Sequence, residues 1–237
     1  MLEEDIRKEL FSLRDNAYFE FHKKLIPTVD EGHFIGVRTP QVRALAKRLH
    51  KDGRGAEYIK ILPHKYYDEY NLHGFLIEEI RDYDSCIEAL NEFLPYIDNW
   101  ATCDMTNPKI LKKYPERLLQ KSKEWINSDH EYTVRFGIET LMRFFLSDNF
   151  NREILDIVAD VNRSEYYIMM MKAWFFATAL AMQYDSTIGY IENKRLDIES
   201  HNMTIRKAIE SYRITKEQKE YLRTLKQNGD VKKVQTV

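Results

Sequence analysis

Apolar residues recur along this chain at intervals of three and four rather than two, the periodicity of helices that bury one face. Residues 3–13 carry Ile6, Leu10, Phe11 and Leu13 in that spacing. A second helix is expected over 18–25, ended by Pro27, and then a loop over 28–38 containing Gly32 and Gly36. Thr39-Pro40 opens the next helix. A hydroxyl residue stands at its N-cap, and proline sits in the first turn, where its missing N–H is no loss. Val42, Leu45, Ala46 and Leu49 form the buried face, which leaves the arginines and lysines of that stretch on the other side. Further helices are expected over 56–62, 67–81 (long and amphipathic), 85–96, a short one opening near Asn99 and broken or bent by Pro108, then 110–119 and 121–126. Ser128-Asp129 caps a strongly apolar helix over 132–146, and 151–161, 165–183, 185–193, 201–213 and 216–226 complete the series.

Only eight glycines and six prolines interrupt 237 residues, so the chain reads as all-α. Successive antiparallel pairs of about 35 to 40 residues, without strict identity between them, are the mark of a degenerate helical solenoid. The expected architecture is a right-handed superhelical stack of HEAT-like pairs, an ARM-type α-solenoid with a concave groove. It would span residues 1–230 as one domain, with 231–237 as a frayed tail. A compact orthogonal bundle fits the same pattern.

Charge adds a direction to this picture. The formal net charge is only −2, but the cations cluster. Arg38, Arg43, Lys47, Arg48, Lys51 and Arg54 form one group, and Lys109, Lys112, Lys113, Arg117, Lys121 and Lys123 a second. A third runs from Arg206 and Lys207 through Arg213 to Lys226, while the interval 68–98 is acidic. A groove made basic in this way is the footprint of a protein that tracks a nucleic-acid backbone; ordinary solvated helix faces give the same clusters. Arg38, Arg43, Lys47, Lys109 and Lys113 are the candidates for backbone contact. Cys86 and Cys103 lack metal-ligand spacing, and no secretory segment or long apolar run is present, so a soluble, cytoplasmic, reduced protein is expected.

Conventional catalytic constellations are missing: there is no Gly-rich phosphate loop, no HExxH and no nucleophile elbow, and the seven histidines are scattered. No metal and no cofactor are therefore expected. What remains is Trp100, Asp104, Arg135 and Trp174. Trp100 and Asp104 stand four apart, which on a helix puts an indole and a carboxylate on one face and suits a site for a cation. The same spacing suits a core tryptophan with Asp104 paired to a nearby lysine. Arg135 lies mid-helix among apolar residues, so its guanidinium needs a carboxylate, such as Glu139 or an acid of the preceding helix, or a surface anion. Trp174 also fits as core beside Phe175.

The order of GVRTPQVRALAKRL, NWATCD, YTVRFGIETLMRF and YYIMMMKAWFFATAL resembles that of the HEAT-like-repeat DNA alkylation repair glycosylases of the AlkD type, over nearly the whole chain. That resemblance implies hydrolysis of the N-glycosidic bond of cationic purines, of the N3-methyladenine and N7-methylguanine type, in duplex DNA. It implies Asp104 stabilising the sugar cation, Trp100 and Trp174 against the deoxyribose, and Arg135 holding the phosphate beside the lesion. A monomer without metal or membrane contact is expected. The path over 13–34, with Pro27 and the acidic Val29-Asp30-Glu31, is shorter than the helical segment with which such enzymes begin, and so resembles a reduced branch. A non-catalytic DNA-binding paralogue and a protein-binding helical repeat are the rival readings.

Overall fold

The computed structural model describes residues 1–228, and these are all-α. Among the described residues there are fourteen α-helices, three 3-10 turns and no strand beyond an isolated antiparallel bridge between Arg14 and Val37. The tail expected over 231–237 lies outside the described residues. No described helix is long and apolar enough to cross a membrane.

The contacts divide the chain into two compact units: Met1–Lys121 with Ser128–Phe136, and Ser122–Asn127 with the chain from Gly137 onward. The first contains α1 (Leu2–Ser12), α2 (Asn16–His22), α3 (Thr39–Lys51), α4 (Arg54–Tyr58), α5 (Tyr67–Ile77), α6 (Tyr83–Phe93) and α7 (Trp100–Met105), with 3-10 turns at Glu31–His33, Leu94–Tyr96 and Lys109–Lys113. The division runs through α8 (Pro115–Ile126) and α9 (Glu131–Phe145). The second unit holds α10 (Glu153–Ala159), α11 (Tyr166–Met182), α12 (Tyr184–Glu192), α13 (Ile198–Glu210) and α14 (Lys216–Thr224).

The axis of the first unit is α5, and here the sequence pattern misleads. The helix ends at Ile77 rather than 81, and ten of its eleven residues are buried, so it is not amphipathic. Its acids, Asn71 and His73 are tolerated because each is bonded. Asp68 accepts from the backbone N–H groups of Ile35, Val37 and Gly36 at 2.7, 2.7 and 3.2 Å. Burial raises the proton affinity of its carboxyl, and the three N–H groups pull it back down. Glu69 accepts from the Lys65 and Tyr66 N–H groups and from Arg7 of α1, Nε to Oε1 at 2.8 Å.

Hydrophobic contacts complete the clamp. Ile6 and Leu10 of α1, Val42, Leu45 and Leu49 of α3, and Leu72, Phe75 and Leu76 of α5 share one core with Ile35 and Val37. Burying each such side chain stabilises the fold by about 1.5–3 kcal/mol. Gly36 is required where segment 35–37 meets α2: its φ is +91°, and a Cβ would stand 2.6 Å from that of Phe19.

A second departure from the periodicity lies at 109–126. In place of two helices meeting near 120, a 3-10 turn over Lys109–Lys113 leads into the single helix α8, opened by Pro115 in the position where proline is favoured.

In the second unit the most apolar helix is α11. The apolar residues of α11 that are buried include Ile168, Met171, Phe175, Phe176 and Leu180, and the helix packs lengthwise against α13. Its one buried cation, Lys172, donates to the Val161 carbonyl at 2.9 Å and to Asp197 Oδ2 at 3.1 Å. Asp197 in turn N-caps α13 by accepting from the Ser200 N–H.

One pair in the first unit sets a pH dependence. His64 Nε2 lies 2.9 Å from His73 Nδ1, with Tyr58 stacked on the first ring and Phe93 on the second. Burial, helped by Arg7, lowers His64 from 6.5 to about 4, and burial followed by His64 itself lowers His73. Burial shifts the less enclosed His22 and His130 the same way. A folded-state value below the unfolded one means the unfolded chain binds protons first as pH falls. The pair's contribution to stability is therefore full well above pH 6.5 and is lost as pH falls toward 4. Urea midpoints measured from pH 7 to pH 4.5 are expected to fall, and His64→Phe to shrink that fall; a flat profile contradicts the assignment.

Candidate functional site

The site is built on α7, a helix of six residues, too short to hold itself and fixed at both ends by neighbours. At its start the Asn99 side chain accepts from the Thr102 N–H at 2.8 Å and donates to Thr102 Oγ1 at 3.1 Å. Thr102 Oγ1 donates onward to Asn71 of α5 at 2.8 Å. One turn later Thr106 Oγ1 donates to the Thr102 carbonyl at 2.9 Å and lies over Gly74, where a Cβ would come within 2.5 Å of it. At the C-terminal end Arg43 of α3 donates to the Met105 carbonyl at 3.3 Å, pairs with Glu78 and lies over the Phe75 ring at 3.8 Å. Glu78 accepts from the Asn107 N–H at 2.8 Å.

On this helix Asp104 meets Arg135 of α9. Nε donates to Oδ1 and a terminal nitrogen to Oδ2, both at 2.7 Å, the two-pronged geometry that only a guanidinium supplies. The Arg135 side chain has 0% exposure and that of Asp104 12%. The guanidinium is thus turned onto the carboxylate of an earlier helix and buried there, rather than presented to a phosphate. Each carboxylate oxygen has two lone pairs, and this fork uses one on each.

Trp100 opens α7, one turn before Asp104 and on the same side. Its indole N–H donates to the Leu25 carbonyl at 3.1 Å, and the ring packs with Met105 against Phe19, Ile26, Val29, Phe34, Tyr67 and Ala101. The stretch over 23–35 is therefore the seat of this indole. Its acids are used locally: Asp30 accepts from the Gly32 N–H, and Glu31 pairs with Lys23, as does Glu20 of α2. No residue type announces Leu25, because the contact is made by a backbone carbonyl.

The other predicted residues fall differently. Trp174 lies on α11 in the second unit, 40% exposed, while its neighbour Phe175 is buried, so Trp174 is not core. Arg38 pairs with Asp15 at 2.7 Å and lies over the Tyr18 ring. Arg43 is engaged by α7 and Glu78, as described. Lys47, Lys109 and Lys113 are exposed and form no ion pair among the described residues. Arg43 was missed as a brace for α7, and the only sequence signal is its place on the same helix as the Val42 core face.

A family model described as a DNA alkylation repair enzyme matches residues 6–212. No curated protein matches the chain.

The approach of α5 to α7 is tested by Gly74→Ala. The added methyl meets Thr106 Oγ1 at 2.5 Å, and overpacking of this kind costs about 1–3 kcal/mol. In a Thr106→Ala background the nearest atom becomes the Thr106 Cβ at 3.5 Å, an ordinary contact, so most of that cost is expected to vanish. Urea unfolding of the four proteins measures the coupling; additive losses contradict the contact.

Proposed function

The chain belongs to the DNA alkylation repair enzyme family, and from that membership and the α7 site we propose that it is a monofunctional glycosylase. Its substrates are cationic purines of the N3-methyladenine and N7-methylguanine type in duplex DNA. The observation that carries this reading is the Asp104 carboxylate, clamped by the buried Arg135 one helical turn from the seated Trp100.

Alkylation at N3 or N7 leaves the purine positively charged and so already a good leaving group. As the bond from C1′ to the base nitrogen breaks, its electron pair neutralises the base and positive charge develops on the sugar. The enzyme needs chiefly to stabilise that charge, and a preorganised carboxylate does so without reorganising at the moment of reaction. Asp104 faces the sugar cation and orients the water that adds to C1′; the water's proton passes to solvent. Trp100 lies against the deoxyribose and adds quadrupole attraction for the cation. Arg135 is a positioning residue: it holds both oxygens of Asp104 and touches no substrate. The chemistry calls for no metal, because the leaving group is activated by its own charge. Lys47, Lys109 and Lys113, with Arg38, supply backbone contact, and Trp174 offers a further indole face in the second unit.

Free base released from N7-methylguanine DNA is the direct test. Asp104→Asn is expected to lower release by about 10²-fold, the scale of removing one preorganised charge partner. Arg135→Lys keeps the charge but loses the fork, and is expected to reduce release while leaving the salt dependence of DNA binding unchanged, since a buried guanidinium reads no phosphate. Circular dichroism checks that both variants fold. Wild-type release no faster than the spontaneous rate overturns the enzyme and leaves a DNA-binding paralogue.

A further inference from the structure

Lys23 stands where α2 runs out, and its side chain turns inward. Only 18% of that side chain is exposed, against 60% for Glu20 and 64% for Glu31, the two acids it binds. Its Nζ reaches Glu20 of α2 at 3.1 Å and Glu31 of the 3-10 turn at 2.5 Å, and lies 5.0 Å from the centroid of the Phe19 ring. A cation placed to meet a DNA phosphate stands out in water; this one closes a loop of chain running from residue 23 to residue 31. Inside that loop lies Leu25, whose carbonyl holds the Trp100 indole N–H at 3.1 Å. Ile26 and Val29 of the same loop pack with Phe19 against the indole. Between α2 and the 3-10 turn the backbone makes isolated turn bonds, from the Leu25 N–H to the His22 carbonyl at 2.9 Å and from the Val29 N–H to the Ile26 carbonyl at 3.2 Å.

We infer that Lys23 is a positioning residue for the proposed reaction: by binding Glu20 and Glu31 together it holds the Leu25 carbonyl and the apolar seat of Trp100, and so fixes the indole one helical turn from Asp104. The inference rests on the glycosylase reading and adds to it a residue that touches no substrate. The indole N–H is satisfied by a backbone carbonyl, so the place of the ring follows the place of the chain at residue 25. That stretch has few bonds of its own, and a cross-link between its ends removes much of its freedom. An isolated exposed ion pair does little. Lys23 differs because one enclosed ammonium serves two carboxylates and an aromatic face. The bond to Glu31 is the largest influence on that ammonium and raises its proton affinity, so the clasp stays charged at neutral pH. At a reacting centre a displacement of about 1 Å can cost on the order of 10²-fold in rate, so the clasp is read in turnover before it is read in unfolding.

Two readouts on the full chain test this: base release from N7-methylguanine DNA, and the Trp100 indole signal of ¹⁵N-labelled protein, assigned by its loss in Trp100→Phe. Lys23→Met keeps a stem over Phe19 and loses the charge. It is expected to lower kcat about tenfold, a fraction of what a full misplacement costs, while KM and the salt slope of duplex binding keep their wild-type values. The indole signal is expected to move and its N–H to exchange faster with solvent. Lys23→Arg still bridges both acids and is expected to restore most of the rate. Glu31→Gln gives the sign: it opens the same clasp, so kcat is expected to fall, and the double variant with Lys23→Met to lose little more than either alone. A lysine that met the DNA backbone would behave otherwise. Its loss would reduce the salt slope by about 0.9, and Glu31→Gln, by removing an acid, would strengthen binding. Either result overturns the inference, and so does an indole signal with kcat unmoved by Lys23→Met. Because the indole signal needs no turnover, the two readings fail separately. A protein that releases no base but shows the indole shift loses the glycosylase and keeps the clasp, whereas equal release by every variant removes the clasp alone.

Discussion

A helix enclosed on nearly every side can carry acids, amides and imidazoles only if each finds a partner, and in the first unit that constraint falls on α5. An unbonded buried polar group costs about 1–3 kcal/mol, and an unpaired charge more. The partners of α5 are therefore not optional, and they are the neighbouring elements themselves. Glu69 binds α1 through Arg7, Asp68 binds the segment over 35–37, Asn71 binds α7 through Thr102, and His73 binds His64. The placement of the site helix follows from satisfying the core helix. Gly74 then sets how near the two can come.

The pair of Asp104 and Arg135 obeys different economics. Burying a guanidinium and most of a carboxylate is at best neutral compared with apolar side chains of the same volume. Stability alone does not account for it. What the pair provides is direction: two parallel bonds at 2.7 Å leave the carboxylate one orientation. Preorganisation of this kind gives a reaction its electrostatic advantage, because no dipole must turn when charge develops. The short α7 is braced to the same end, with Asn99 at its start, Arg43 at its finish and the Leu25 carbonyl on the indole.

Much of the helical framework was legible from spacing, because apolar residues at three and four report the buried face of one helix whatever it packs on. The same spacing says nothing of a helix buried all round, so α5 read as amphipathic. It also marks a helix start weakly, so the role of Pro115 was overlooked and α8 was split in two. Trp100, Asp104 and Arg135 could be singled out by residue type, an indole, an acid and a mid-helix cation in apolar surroundings. That Arg135 turns to Asp104, 31 residues earlier, is not what the spacing suggests, which names Glu139 or an acid of the preceding helix for the guanidinium and a lysine for the carboxylate. The seat of Trp100 had no signature at all, since a carbonyl belongs to every residue.

Charge shows the same limit from the other side. Counting lysines and arginines finds clusters but not availability. Arg38 and Arg43 belong to the first cluster, yet both are held by carboxylates of their own chain. An exposed pair such as that of Arg38 is worth little and yields readily to a phosphate. Arg43 is different, because releasing it would also forfeit the Met105 carbonyl and the Phe75 ring. Cations that face outward at no such cost include the lysines of α3 and of the 3-10 turn after α7. Where a basic cluster meets nucleic acid is decided less by how many charges it holds than by which of them the fold has left uncommitted.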